Sequence, residues 1–165
     1  MKNVKPKDIK RNWHLLDAKN KILGRLASEI SLILMGKNKS YYTPYLDTGD
    51  YVVVINAKEI VFSGKKERQK QYWHHSQYPG GMHVKSVSVL RNKKPEELIR
   101  HAVGGMIPKT KLGKDMMKKL FIFSNSNHPY QDKFATTEKP DEHPGGESGS
   151  KMHAKSGPPP AVAIK

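Results

Sequence analysis

The sequence predicts an α/β fold: a three-layer α/β/α domain around a largely parallel central sheet of about four strands, followed by a disordered C-terminal tail. Two observations predict the domain. Short apolar runs rich in β-branched or aromatic residues, YVVVIN at 51–56 and LFIF at 120–123, lack the alternation of a half-exposed strand and read as strands covered on both faces. Segments of helical period, 25–35 and 95–106, fall between the strands, and interleaving of this kind favours parallel pairing. A third observation predicts the tail. Beyond residue 134 the chain turns to Pro, Gly, Ser and charge, with too few large apolar groups to offset the entropy of ordering. The expected organisation is a basic arm at 1–12, a domain at 13–134 and the tail at 135–165.

The elements follow in order. Residues 13–18 (WHLLDA) read as a short strand, and 17–24 as a turn into a helix. Between residues 25 and 35, Leu26, Ile30, Ile33 and Leu34 share one face with Ala27 beside them, and Gly36 stands where a left-handed cap is expected. Residues 37–50 lose that period, and Pro44 and the Asp-Thr-Gly-Asp turn mark a loop. After the strand at 51–56, residues 60–62 read as another short strand and 71–75 as a further one, with a turn at 78–82. Pro95 suits a first helical position, Glu96 and Glu97 complement the helix dipole, and Leu98, Ala102 and Met106 are placed on one face. Gly104, Gly105 and Pro108 end that helix, and a shorter one is expected at 111–119 before the strand at 120–123.

The charge is strongly one-sided. Thirty Lys+Arg against fifteen Asp+Glu give +15 at pH 7. The tail from residue 135 holds four acids and four bases, leaving 26 bases and 11 acids in residues 1–134, so the whole excess lies there. With a Debye length of about 8 Å in physiological salt, such a domain repels itself and attracts polyanions over most of its surface. Cysteine is absent, which excludes disulfides and thiolate metal sites. The N-terminal stretch lacks the apolar run of a secretion signal, and no segment approaches the twenty or so apolar residues that cross a bilayer. The expectation is a cytoplasmic protein with no membrane partner, no cofactor and no small-molecule substrate.

Four basic clusters are candidates for the polyanion. Lys37 and Lys39 adjoin Tyr41, Tyr42 and Tyr45 in the first loop, where lysines can neutralise phosphates and tyrosines can stack on unpaired bases or cap the core. Lys65, Lys66, Arg68 and Lys70 precede Tyr72, Trp73, His74 and His75, and Tyr78 opens a turn in which Gly80 and Gly81 could let backbone approach a phosphate. Lys109, Lys111, Lys114, Lys118 and Lys119 form the third, and of these Lys111, Lys114 and Lys118 fall at helical spacing on one face. Lys2, Lys5, Lys7, Lys10 and Arg11 make the less specific fourth, and Arg25 at the start of the first helix completes the candidate RNA contacts. A single charge run is usually a solvated face, whereas several runs with few nearby acids point to RNA.

Catalysis has one opening. Asp47, Asp50, His74, His75 and His83 could hold a metal and cleave phosphodiesters. Turn chemistry alone explains the two aspartates around Gly49, and adjacent histidines on a strand point to opposite faces. A phosphate-binding loop at 35–40 (MGKNKS) fails, because it lacks the upstream glycine and the Ser/Thr directly after Lys37.

Several blocks in register then carry a resemblance: WHLLDAKNKILGRLAS (13–28), YTPYLDTGDYVVVINAKEI (42–60), FSGKK (62–66), YWHHSQYPGG (72–81) and GMIPKTKLGKDMMKKLFIF (105–123). The chain resembles the bacterial form of the universal family of large-subunit ribosomal protein thirteen, from about Trp13 to Pro129. The resemblance implies an α/β domain bound to large-subunit ribosomal RNA beside neighbouring ribosomal proteins, a role early in subunit assembly, and no catalytic activity. HPYQDKF (128–134) departs from the family's usual ending, and the tail has no counterpart in it. Two other readings remain open at this level: a metal-dependent RNA nuclease using Asp47 and His74, and a translational regulator that binds messenger RNA.

Overall fold

The computed structural model describes residues 5–135, so the expectation for the tail falls outside it, as do residues 1–4 of the arm. A parallel sheet organises the chain. Its strands are β1 (Trp13–Asp17), β2 (Tyr51–Ile55) and β5 (Leu120–Ile122), in the order β1-β2-β5. Trp13 lies opposite Tyr51, and Val52 opposite Leu120. The α/β fold with a parallel sheet is therefore as expected, but among the described residues the sheet has three strands. The other two strands, β3 (Gln71–His75) and β4 (Met82–Ser86), form a separate antiparallel ribbon. The segment expected as a strand at 60–62 contributes only a bridge between Val61 and Ile22.

The helices are α1 (Leu23–Met35), α2 (Lys66–Gln69), α3 (Val87–Lys93), α4 (Pro95–Met106), α5 (Lys111–Lys118) and α6 (Gln131–Ala135). The strand order steps one way across the sheet. Crossovers of constant hand that step in one direction deliver their helices to one face. Accordingly α1 and α4 pack together, and Leu26, Ile30, Leu34, Leu98, Ile99 and Val103 bury against Val52, Val54, Leu120 and Ile122. Full burial of each large aliphatic side chain contributes roughly 2 kcal/mol. On α4 the buried stripe is Leu98, Ile99 and Val103, with Ala102 partly covered. Met106, expected on that stripe, is exposed.

The opposite face carries Trp13, Tyr51, Val53 and Phe121. No long helix covers it among the described residues. Instead the chain after β5 returns: Tyr130 stacks 5.3 Å from Trp13 and sits 4.6 Å from Phe121, while Phe134 of α6 meets Trp13 edge-on. Trp13 stacks on Tyr51 at 4.5 Å, and Val53 beneath is fully buried. The third layer is thus a layer of aromatic rings closed by a helix of five residues.

The loop after α1 is held tightly. Gly36 adopts the left-handed conformation (φ 73), and its N–H and that of Lys37 donate to Ile33 and Leu32. Thr48 Oγ1 donates to the Met35 carbonyl and Asp50 N–H to Ile33, so the loop satisfies the helix's terminal carbonyls. At Gly49 a Cβ would stand 1.7 Å from the Leu34 carbonyl oxygen, so only glycine fits.

Candidate nucleic-acid interface

The first basic cluster turns inward. Lys39 Nζ donates to Asp50 at 2.5 Å and to the Lys10 carbonyl at 2.7 Å, and its side chain is only 13% exposed. Asp50 also accepts from the Asn12 N–H and is bonded to His14 Nε2. Burial alone would raise the Asp50 carboxyl, but the hydrogen bonds from Lys39, Asn12 and His14 outweigh it and hold it below its ordinary range. Beside it Lys119, buried, donates to Asp47 at 2.5 Å and to the Gly49 carbonyl at 3.0 Å, and Arg11 lies 3.6 Å from Asp47. Burial lowers the Lys119 ammonium below the ordinary lysine range, partly offset by Asp47. The Tyr41 hydroxyl donates to the Lys10 carbonyl. Lys39 and Tyr41 therefore tie the loop to the N-terminal arm. Lys37 remains exposed, and Tyr42 is half-buried.

This arrangement also answers the catalytic reading. The carboxylates of Asp47 and Asp50 are engaged by ammonium and guanidinium groups, which compete directly with any metal. Among the described residues no three His, Asp or Glu side chains are grouped to hold an ion. His74 lies on the separate ribbon, paired across it with His83, and His75 Nδ1 accepts from the Gln77 N–H.

The second cluster turns outward. Lys65, Lys66, Arg68 and Lys70 surround the single turn of α2 and are exposed. Its one acid, Glu67, is engaged by Arg91, whose guanidinium also donates to the Ile60 carbonyl. In the ribbon that follows, Tyr72 faces the core and stacks 5.3 Å from His101, with Lys70 Nζ 5.2 Å from its ring. Burial raises the Tyr72 hydroxyl above its ordinary range. On the other side of the ribbon Trp73 pairs with Val84 and His75 with Met82, all exposed, Trp73 by 62%. The turn holds Tyr78, also exposed. Gly80 is there for its left-handed backbone (φ 72). At Gly81 a Cβ would stand 2.0 Å from Ser76 Oγ and 2.9 Å from the Tyr78 carbonyl oxygen, so turn closure accounts for that glycine without a phosphate.

The third cluster presents one helix face. Thr110 caps α5, its hydroxyl accepting from the Gly113 N–H, and Met116 is buried. Lys111, Lys114 and Lys118 are exposed, and Lys118 pairs with Asp115 on the same surface. Lys109 lies just before the helix, whereas Lys119, expected to belong to this outward cluster, is buried because Asp47 and the Gly49 carbonyl take its ammonium.

The helix α4 joins these outward groups. His101 borders three clefts: one with Lys66 and Lys70, one with Trp73, His74 and Lys85, and one with Arg100 and Lys109. Among the described carboxylates none pairs with Arg25, Lys37, Lys65, Lys66, Arg68, Lys70, Lys85, Arg100, Lys109, Lys111 or Lys114. The candidate residues did not include Lys85, Arg100 and His101. Arg100 and His101 sit on a helix whose apolar period points to the core, and the outward positions of that same period were the signal for them.

Fold and surface together define a basic α/β domain with a cationic face open to solvent and paired acids where a catalytic centre could have formed. The chain belongs to the ribosomal protein L13 family, whose model matches residues 11–129. It is 54% identical over 128 residues to the large ribosomal subunit protein uL13 of Dictyoglomus thermophilum, covering 78% of this chain and 90% of that one. The uL13 of Pelobacter propionicus is 52% identical over 127 residues, 77% of this chain and 89% of its own. That of Chlorobium luteolum is 46% identical over 129 residues, with 78% and 87% covered. The family match ends at Pro129, one residue before Tyr130 begins to cover the second sheet face.

Proposed function

We propose that this protein is a structural constituent of the large ribosomal subunit in the cytoplasm, non-catalytic, which binds large-subunit ribosomal RNA and helps order it early in assembly. The observation that carries this reading is the set of exposed lysines and arginines without carboxylate partners around α2, the ribbon, α4 and α5. Buried lysines of the same chain do have such partners. Phosphate contacts from the outward set would supply most of the affinity, and the shape of the surface and its exposed aromatic residues the selectivity. Lys37, Lys65, Lys66, Arg68, Lys70, Lys109, Lys111, Lys114 and Arg25 are assigned to phosphates, with Lys85 and Arg100 added to them. His74, His75 and Tyr78 are assigned to bases or sugars, and Lys39 and Tyr41 to holding the arm. Neighbouring ribosomal proteins are the expected protein partners.

Sedimentation of cell extract through sucrose in moderate salt tests the reading. The protein should travel with the large subunit and with its assembly precursors. Recovery of the protein only at the top of the gradient would contradict it.

A further inference from the structure

The cleft between the start of α1, the segment leading into α2, and α4 has a chemistry that the phosphate-binding role does not by itself require. It is an open recess of about 450 Å³ lined mostly by apolar surface. The stacked pair Tyr72–His101 gives it an aromatic wall, and an edge of Phe62, which is largely buried with Arg91 over its ring, contributes to the lining. Lys66 and Lys70 stand on its lining, and neither pairs with a described carboxylate. Gly24 opens it further: a Cβ there would meet no atom within 4 Å. An apolar, aromatic recess beside two uncompensated cations matches a ligand that is planar at one end and anionic at the other. Pockets of several hundred Å³ suit ligands of about nucleotide size. The recess opens next to a surface running past His101 to Lys85, Arg100 and Lys109, where the acid Glu97 is paired with Lys94. The net cationic character that remains favours a unit of a polyanion over a free small molecule.

We propose that this cleft receives a single unstacked nucleotide of the bound RNA, its base against the Tyr72–His101 wall and the edge of Phe62 and its phosphate at Lys66 and Lys70. The proposal rests on the RNA-binding reading above. Sequence-specific RNA recognition commonly uses such splayed bases, because a duplex hides its base edges in a deep, narrow groove.

The test uses the full chain and large-subunit ribosomal RNA in filter binding over a range of salt, with Gly24→Leu as a filler that leaves every charge in place. Loss of one base–aromatic contact should weaken binding by about tenfold. The slope of log affinity against log salt should fall by no more than about one unit, since only the displaced nucleotide's own phosphate can be lost. As a second readout, transcripts carrying a photoreactive analogue of each of the four bases in turn should cross-link to Phe62, Tyr72 or His101. This decides the matter even if Gly24→Leu lowers the melting temperature. Unchanged affinity in a folded Gly24→Leu protein, or an absence of cross-links at these residues while the parent binds RNA, would overturn the proposal and leave the RNA-binding reading intact. So would a Gly24→Leu protein that binds RNA normally but no longer joins the subunit, since that would assign the cleft to a protein side chain. Failure of the parent chain to bind the RNA would instead remove the reading on which the proposal rests.

Discussion

Loop 37–50 and the segment from α2 through β4 each mix lysines with aromatic residues, yet they use them in opposite ways. In the loop, Lys39 is shut in against Asp50 and Lys10, and neighbouring Lys119 against Asp47. Around α2, Lys65, Lys66, Arg68 and Lys70 point to solvent, and the lone acid Glu67 is engaged by Arg91. The difference teaches that the local supply of unpaired acids, more than lysine density, decides whether a basic cluster is available to a partner. A lysine near two spare aspartates is drawn into the fold, because a buried carboxylate without a cation costs several kcal/mol.

That contrast can be broken at its inner side first. Asp50→Ala leaves the buried Lys39 ammonium, the Asn12 N–H and His14 without their acceptor, and should lower stability by about 3 kcal/mol in urea titration. Loss of less than 0.5 kcal/mol would mean that the inward network is incidental. Gly49→Ala drives a methyl into the Leu34 carbonyl and should cost about 2 kcal/mol by the same measurement. The pH dependence of stability is a smaller effect. The Asp50 carboxyl is held below its ordinary value of 3.8, so its contribution is complete above that value and is lost as pH falls through the lower folded-state value. Melting temperature should therefore decline on the acid side, and the decline should be shallower in Asp50→Asn. On the outer side, Lys111→Ala combined with Lys114→Ala should change stability by under about 0.5 kcal/mol. The same pair should weaken binding to ribosomal RNA, with a salt slope smaller by about one unit per lysine.

Much of the fold was legible in the sequence. The covered strands at 51–55 and 120–122 announced themselves by unbroken β-branched or aromatic runs, and α1 by its period and Gly36. The ribbon was half visible: Gln71–His75 read as a strand, but its partner β4 did not, because Met-His-Val-Lys-Ser carries no buried face to impose a pattern. Helix α3 was hidden by Val87 and Val89, whose type favours strands, and its packing on α2 and α4 selects the helix. The three strands of the sheet, and the ring layer that Tyr130 and Phe134 build over Trp13, depend on contacts distant in sequence. Of the candidate interface, the outward clusters at 65–70 and 109–118 were legible as charge. The inward turns of Lys39 and Lys119 were not, since they depend on the loop returning Asp50 to Lys10 and Asn12 and Asp47 to the end of α5.

The most direct measurement of the central claim is the salt dependence of binding to large-subunit ribosomal RNA by the parent chain and by a variant with Lys66, Lys70, Lys111 and Lys114 all changed to alanine. The account predicts a steep slope for the parent, a slope shallower by about three to four units in the variant, and equal melting temperatures for the two proteins. An unchanged slope in the folded variant would contradict it, because the outward lysines would then not be the groups that meet the phosphates.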